Sequence, residues 1–276
     1  MFGFQWKKFL FLQHDSFNKS NLTKNRLSSL ICSKLKKLKN KNVLEVGCGS
    51  GRFSELFLKN KSKLHAVDAS NSVFVNYNLN KVYSKNNFNI ARANLFNLPY
   101  KNNSFDLVFC AGVIQHTGNS SKAIKILWSK VKKGGFLAFD HYLFTYRYYL
   151  GIEFIIRNLL KIFSIQKRYL IIKKINSFFF PLFWLIKNNY FLIRALKKII
   201  PLGFAYNHEY KKMKYDIIKE LSFLNTHDAL SDDIKIFLKK EELLSIIEDL
   251  PNCRIVNCKF FRKGSNGAEF LLKKIK

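Results

Sequence analysis

Apolar and polar positions along this chain follow two different periods. Between Asn21 and Leu38, apolar residues recur at helical spacing: Leu22, Leu27, Leu30, Ile31, Leu35 and Leu38. The opposite face is lysine-rich, which predicts a helix entering a core. From Val43 onward, short apolar runs alternate with helical patterns. The run Val43 to Val46 ends in glycines, and "KLHAVDAS" ends at Asp68. "FNIARANL", "SFDLVFCAGV" and "FLAFDHY" follow as further strands, the last entered through a turn at Gly134-Gly135. Between them, "RFSELFLKN", "SVFVNYNLNKVYSK" and "SKAIKILWSKV" read as helices. This alternation predicts βαβ units, hence a doubly wound parallel sheet covered on both faces.

The pattern changes near Tyr142. From Phe144 to Tyr206 the chain is aromatic, aliphatic and basic, with Glu153 the single acid among eleven Lys and Arg. Its period is helical, and Pro181 and Pro201 read as punctuation between two to four helices. "NTHDALSDDIK" reads as a polar linker, and "KKEELLSIIEDL" as an amphipathic helix opened by acids. "CRIVNCKFF" and "GAEFLLKKI", joined by the turn "RKGSNG", predict an antiparallel hairpin added to the sheet. The expected organisation is an N-terminal helical cap (1–40), an α/β core (41–143), a basic aromatic helical insert (144–238), and a closing helix and hairpin (239–276).

Bulk composition narrows this picture. A chain of 276 residues with 48% hydrophobic residues and 28 phenylalanines has enough material for a sizeable core. The formal charge of +30 points to a polyanionic partner, although Lys also accompanies the Asn, Ile and Phe typical of AT-rich codons. The five cysteines are odd in number and lack C-x-x-C spacing. That disfavours a disulfide framework or a zinc ribbon and suits a reducing, cytoplasmic setting. No metal-ligand set stands out. No secretory leader is evident, and the most apolar run, Ile175 to Ile186, covers 12 residues, too few to span a bilayer.

In an open parallel sheet, ligands bind where the strands end. The first strand ends "LEVGCGSG", placing Gly47, Gly49 and Gly51 in a G-x-G-x-G loop. A dinucleotide fingerprint spaces its third glycine one residue later. Glu45, two residues before the loop, is a poor neighbour for phosphate and a good one for an ammonium group. Asp68, 21 residues after Gly47, is placed to accept from ribose hydroxyls. These residues alone leave dinucleotide and nucleoside ligands both open.

The stretch "ANLFNLPYKNNSFDLVFCAGVIQHTGN" adds a polar residue after the third strand, a Leu-Pro turn, and Phe105-Asp106 opening the fourth. With it, Val43 to His141 resembles the class I S-adenosylmethionine-dependent methyltransferases, in the subgroup acting mostly on small molecules and sugars. The resemblance implies a Rossmann-like, mostly parallel seven-stranded sheet and S-adenosylmethionine as cofactor. It implies cofactor contacts from Glu45, Gly47, Cys48, Gly49, Gly51, Asp68, Ala69, Asn94, Leu95 and Ala111. In that family the acid matching Glu45 helps hold the amino end of the cofactor and the acid matching Asp68 the ribose. The position matching Asn94 usually carries Asp and contacts the adenine amino group. Asn94 departs from this, though its carbonyl still accepts. A looser similarity to sugar and surface-polysaccharide methyltransferases runs through Phe2-Gly-Phe-Gln-Trp6, "NTHDAL", "FLKKEELLSII" and "GSNG".

Methyl transfer from a sulfonium mainly needs alignment and exclusion of water. A hydroxyl nucleophile also benefits from a base, for which His116 is the first candidate and His141 the second. The bland role for His116 is to close the loop over the cofactor. Cys48 and Cys110 read as small buried residues. No Pro-Cys nucleophile is present, and "NLPY" lies after the wrong strand to be an amino-methyltransferase motif. The expected activity is methyl transfer to oxygen on a small-molecule or glycan or lipid-linked sugar acceptor. A cofactor-binding protein without turnover and an RNA methyltransferase are the alternatives. The insert reads either as a lid or as a peripheral contact with an anionic membrane. Nucleic acid ranks third as a partner for the charge.

Overall fold

The computed structural model describes residues 9, 11–84, 86–204, 213–261 and 267–275. Phe2 to Trp6 and most of the "RKGSNG" turn lie outside them. Seven strands form one sheet: β1 (Asn42–Val46), β2 (Lys63–Asp68), β3 (Phe88–Arg92), β4 (Phe105–Cys110), β5 (Val131–Tyr142), β6 (Cys253–Phe260) and β7 (Gly267–Lys274). Their order is β3-β2-β1-β4-β5-β7-β6. β1 to β5 pair in parallel, and β7 runs antiparallel to both β5 and β6. The doubly wound sheet and its closing hairpin are as the sequence predicts. The order reverses beside β1, so a crevice opens at the carboxyl ends of β1 and β4.

The helices are α1 (Leu22–Leu30), α2 (Arg52–Lys59), α3 (Ser72–Asn80), α4 (Ser120–Lys130), α5 (Ile152–Leu160), α6 (Ile165–Leu185), α7 (Tyr190–Leu196), α8 (Tyr215–Ser231) and α9 (Lys240–Glu248), with shorter turns between them. The chain divides into two compact units. The α/β unit holds Thr23–Phe144 and Ile234 onward; the second holds Thr145–Asp233 with the described residues up to Leu22.

Period-two alternation serves both faces of the sheet. Val43, Leu107 and Phe109 point to one face, packed with Leu27, Leu30, Phe53 and Phe57. Leu44, Val108 and Cys110 point to the other, packed with Ile124, Leu127, Leu243 and Ile247. The second unit has its own core, which includes Phe9, Ile172, Phe180, Phe183, Leu221 and Leu224.

Four local expectations need correction. The helix expected over Asn21–Leu38 breaks after Leu30, because Cys32 and Ser33 take left-handed backbone angles, and resumes as a 3-10 turn at Lys34–Leu38. Gly134-Gly135 lies inside β5 at a bulge. A Cβ on Gly135 would stand 2.9 Å from the Phe105 carbonyl oxygen, so the strand crosses too closely for a side chain there. Pro181 sits within α6 and ends nothing. "NTHDALSDDIK" is not a linker at its start, since Asn225 to Ser231 complete α8. Its polar groups are buried with partners: Thr226 Oγ1 donates to Ser222 O and accepts from Gly203 N. His227 stacks edge-on against Tyr169.

Candidate functional site

The loop after β1 is shaped by what lies beneath it. Gly47 N and Cys48 N both donate to Val67 O, at 2.7 and 3.0 Å, so the chain turns sharply as it leaves the sheet. Gly47, Gly49 and Gly51 all have positive φ. The position of a Cβ on Gly47 is filled by Val113, 2.1 Å away. Asp68, ending β2, anchors the loop: Oδ2 accepts from Gly49 N at 3.0 Å, and Oδ1 from Ser70 N and Oγ at 2.9 and 2.7 Å.

Glu45 is buried below the same loop, and Ser54 Oγ donates to it at 2.5 Å. Asn76 Nδ2 donates to Ser54 Oγ, and Asn80 Nδ2 donates to Asn76 Oδ1 and to Gly51 O. A buried polar chain thus links α2 and α3 to the loop. Burial pushes the Glu45 carboxyl up to about 8.

After β3, Asn94 is exposed and caps the turn at Leu95, its Oδ1 accepting from Phe96 N at 2.9 Å. Ala69, beside Asp68, is exposed, and its carbonyl accepts from Arg92 Nε at 3.2 Å. Arg92 was not expected here. It sits at the end of β3, where an exposed arginine in a short strand carries no distinguishing sequence signal. After β4, Ala111 and Gly112 lead to a 3-10 turn, Ile114–His116. His116 Nδ1 lies 3.1 Å from Ile234 O, which fixes the tautomer with the proton on Nδ1. Its ring meets the edge of Tyr142. His141 is fully buried. Its Nδ1 donates to Tyr142 O and its Nε2 accepts from Ser120 Oγ, both at 2.8 Å, and burial lowers its pKa. His141 thus commits both ring nitrogens inside the unit.

A charged cluster beside β4 also escaped the sequence reading. Asp140 Oδ1 accepts from Gly112 N at 2.6 Å, and Asp140 pairs with Arg26 of α1. Arg26 also reaches Glu269 Oε1 at 3.2 Å, and Ser29 Oγ donates to Glu269 Oε2 at 2.6 Å. Asp140 and Glu269 face each other across β5 and β7. Replacing Arg26 by Ala leaves two buried carboxylates without their cation. The expected loss is about 2–3 kcal/mol, below that of a fully buried pair because the Arg26 side chain is 40% exposed, and it is read from chemical unfolding.

Residues 44–139 match a family model described as "Methyltransferase domain". The chain carries a class I, S-adenosylmethionine-dependent methyltransferase domain. Over 105 residues it is 33% identical to a tRNA U34 carboxymethyltransferase of Campylobacter fetus, covering 37% of each chain. Over 122 residues it is 29% identical to a ubiquinone biosynthesis O-methyltransferase of Coxiella burnetii, covering 43% of this chain and 52% of that one. The chain thus spans about half the length, or less, of these curated relatives. Among solved structures, PKMT2 from Rickettsia typhi, in complex with AdoHcy, superposes with a TM-score of 0.54 at 14% identity. That match covers 91% of this chain and 52% of the other and shares the fold.

The methyltransferase domain has a donor set that suits its cofactor. A buried carboxyl under the glycine loop suits an ammonium, the Asp68 carboxylate a diol, and the Asn94 carbonyl an amino group. Cys48 and Cys110 are buried, and burial raises both thiols well above their ordinary value, which fits packing and not nucleophilic chemistry.

Glu45 gives the domain a pH dependence. The unfolded carboxyl ionises near 4.5 and the folded one near 8, so between these values the folded chain holds a proton that the unfolded chain lacks. Stability from this group therefore falls as pH rises through that window and is level outside it. An ammonium bound at Glu45 requires the ionised form. S-adenosylmethionine binding at pH 7 is therefore expected to release close to one proton, measured by calorimetry in buffers of different ionisation enthalpy. Glu45→Gln is expected to release none.

Proposed function

We propose that this protein transfers a methyl group from S-adenosylmethionine to a hydroxyl oxygen of a small acceptor, a sugar or lipid-linked sugar met at an anionic membrane surface. The buried Glu45 carboxyl beneath the glycine loop, with Asp68 beside it, carries the donor half of this reading. Bound S-adenosylmethionine supplies a methyl group already activated on a sulfonium. Glu45, the loop amides and Asp68 orient it, and His116 takes the acceptor proton.

The acceptor half rests on the second unit. On α6, Arg168, Ile172, Asn176, Phe180 and Phe183 are buried at helical spacing. The opposite stripe presents Leu170, Lys174, Phe178, Leu182 and Leu185 to solvent. Phe178 is 78% and Leu185 80% exposed. Exposed apolar residues interleaved with lysine suit a helix lying in a lipid interface, where each basic residue adds about 1 kcal/mol near anionic lipid. No helix among the described residues is long and apolar enough to cross a membrane.

RNA is the second reading, supported by the charge of +30 and by the matched tRNA enzyme. Calorimetry with S-adenosylmethionine and its demethylated product tests the donor half; binding of neither rejects it. Sedimentation with phosphatidylglycerol vesicles, against phosphatidylcholine alone, tests the surface. Salt-sensitive binding that weakens in Phe178→Ser with Leu185→Ser is expected. Absence of vesicle binding together with tight, salt-dependent RNA binding transfers the reading to RNA.

A further inference from the structure

Arg157 stands where its helix calls for an apolar residue. On α5, Arg157 and Leu160 are the buried positions, while Ile155 and Leu159 are exposed. Arg157 is only 6% exposed, yet among the described residues its Nε and Nη1 have no hydrogen-bond partner and no carboxylate forms an ion pair with it. The guanidinium lies over the Tyr148 ring at 5.3 Å and the Phe154 ring at 5.8 Å. Glu153 and Asp232 lie within electrostatic range of the Tyr148 hydroxyl. The neighbouring case is instructive. Arg168, equally buried, is saturated by the carbonyls of Phe163, Lys161 and Ser231 and by Asp233.

A buried cation with open donors is costly, and two aromatic faces compensate it only in part. A rule broken without local compensation marks a position kept for a ligand. Guanidinium matches tetrahedral oxyanions by several parallel N–H bonds. We propose that Arg157, between Tyr148 and Phe154, is a phosphate-binding position of the second unit. The phosphate belongs either to a soluble phosphorylated compound or to a lipid head group. The position is independent of methyl transfer, and its readout is anion binding.

The test uses the full chain without cofactor. Inorganic phosphate and pyrophosphate are titrated by calorimetry, and vesicles of phosphatidic acid in phosphatidylcholine by sedimentation. These are compared across wild type, Arg157→Lys, Arg157→Gln and the exposed control Lys173→Gln. Saturable binding of phosphate or pyrophosphate, weakened at least tenfold in Arg157→Gln and less in Arg157→Lys, identifies a soluble ligand. Arg157-dependent binding to phosphatidic acid vesicles alone identifies a lipid head group. In phosphate-free buffer, Arg157→Gln is expected to melt at or above the wild-type temperature, since it removes an unpaired buried charge. Two results overturn the proposal: no Arg157-dependent binding to any of these probes, or a much lower melting temperature in Arg157→Gln with anion binding unchanged.

Discussion

Gly51→Ala is expected to lose S-adenosylmethionine binding and to melt roughly 10 °C below the wild type. Gly51 caps α2 with φ of 92°, and a Cβ there would lie 2.1 Å from Asn76 Oδ1 and 2.4 Å from Asn80 Nδ2. The left-handed conformation alone costs alanine about 1–2 kcal/mol. The larger part comes from displacing Asn76 and Asn80. Their side chains hold Ser54, and through it Glu45, so a shift leaves buried amides without partners at about 1–3 kcal/mol each. The total is about 3–8 kcal/mol, spread over the residues expected to bind the cofactor. Thermal unfolding and calorimetry read the two consequences separately. Unchanged melting with lost binding would mean the loop touches the ligand but does not depend on the asparagines. Unchanged binding would remove the loop from the cofactor site.

The packing of α3 on α2 explains why the loop reads G-x-G-x-G. The third glycine answers to α3, whose asparagines press against it, and not to a pyrophosphate. The sequence displays the glycines because each local backbone turn demands them. It does not display Asn76 and Asn80, because two asparagines in a helical run look like a solvated face until α3 is packed on α2.

The same contrast runs through the rest of the molecule. The alternation of strands and helices is local, so the sheet and its closing hairpin follow from residue periodicity. Glu45, Asp68 and Asn94 were visible because each lies at a strand end or just after one. The Phe105-Asp106 pair, which tied the sequence to its family, does no work at those ends. Asp106 sits at the amino end of β4, opposite the carboxyl ends of the strands, accepting from Asn42 N at 3.0 Å and pairing with Lys132 at 2.6 Å. It is a fastening of the fold. Arg26, Asp140 and Glu269 were invisible for the converse reason: their partners lie 114 and 243 residues apart in sequence, and no short pattern encodes such a meeting. In the second unit, "NTHDALS" looked like a linker because polarity was read as exposure. Thr226 and His227 are polar but fully buried with partners, which composition does not reveal.

His116→Ala is expected to lower kcat by about 10²–10⁴-fold while leaving S-adenosylmethionine affinity within about twofold. The geometry separates it from the other histidine. His116 donates from Nδ1 to the Ile234 carbonyl, in the turn that follows β4. His141 is engaged at both nitrogens, with Ser120 and with the Tyr142 carbonyl, and burial disfavours its charged form. His141→Ala is therefore expected to act through stability. It strands the buried Ser120 hydroxyl and leaves a cavity, while the Tyr142 carbonyl keeps the Leu238 amide, a loss of about 2–4 kcal/mol in chemical unfolding, with kcat per folded molecule much less affected. The two variants should fall on different axes, one kinetic and one thermodynamic. Near-normal turnover of His116→Ala at saturating acceptor would sink the base role. Its ring would then serve to hold the turn against Tyr142 and Ile234, and the acceptor would have to lose its proton to solvent or to its own acidic group.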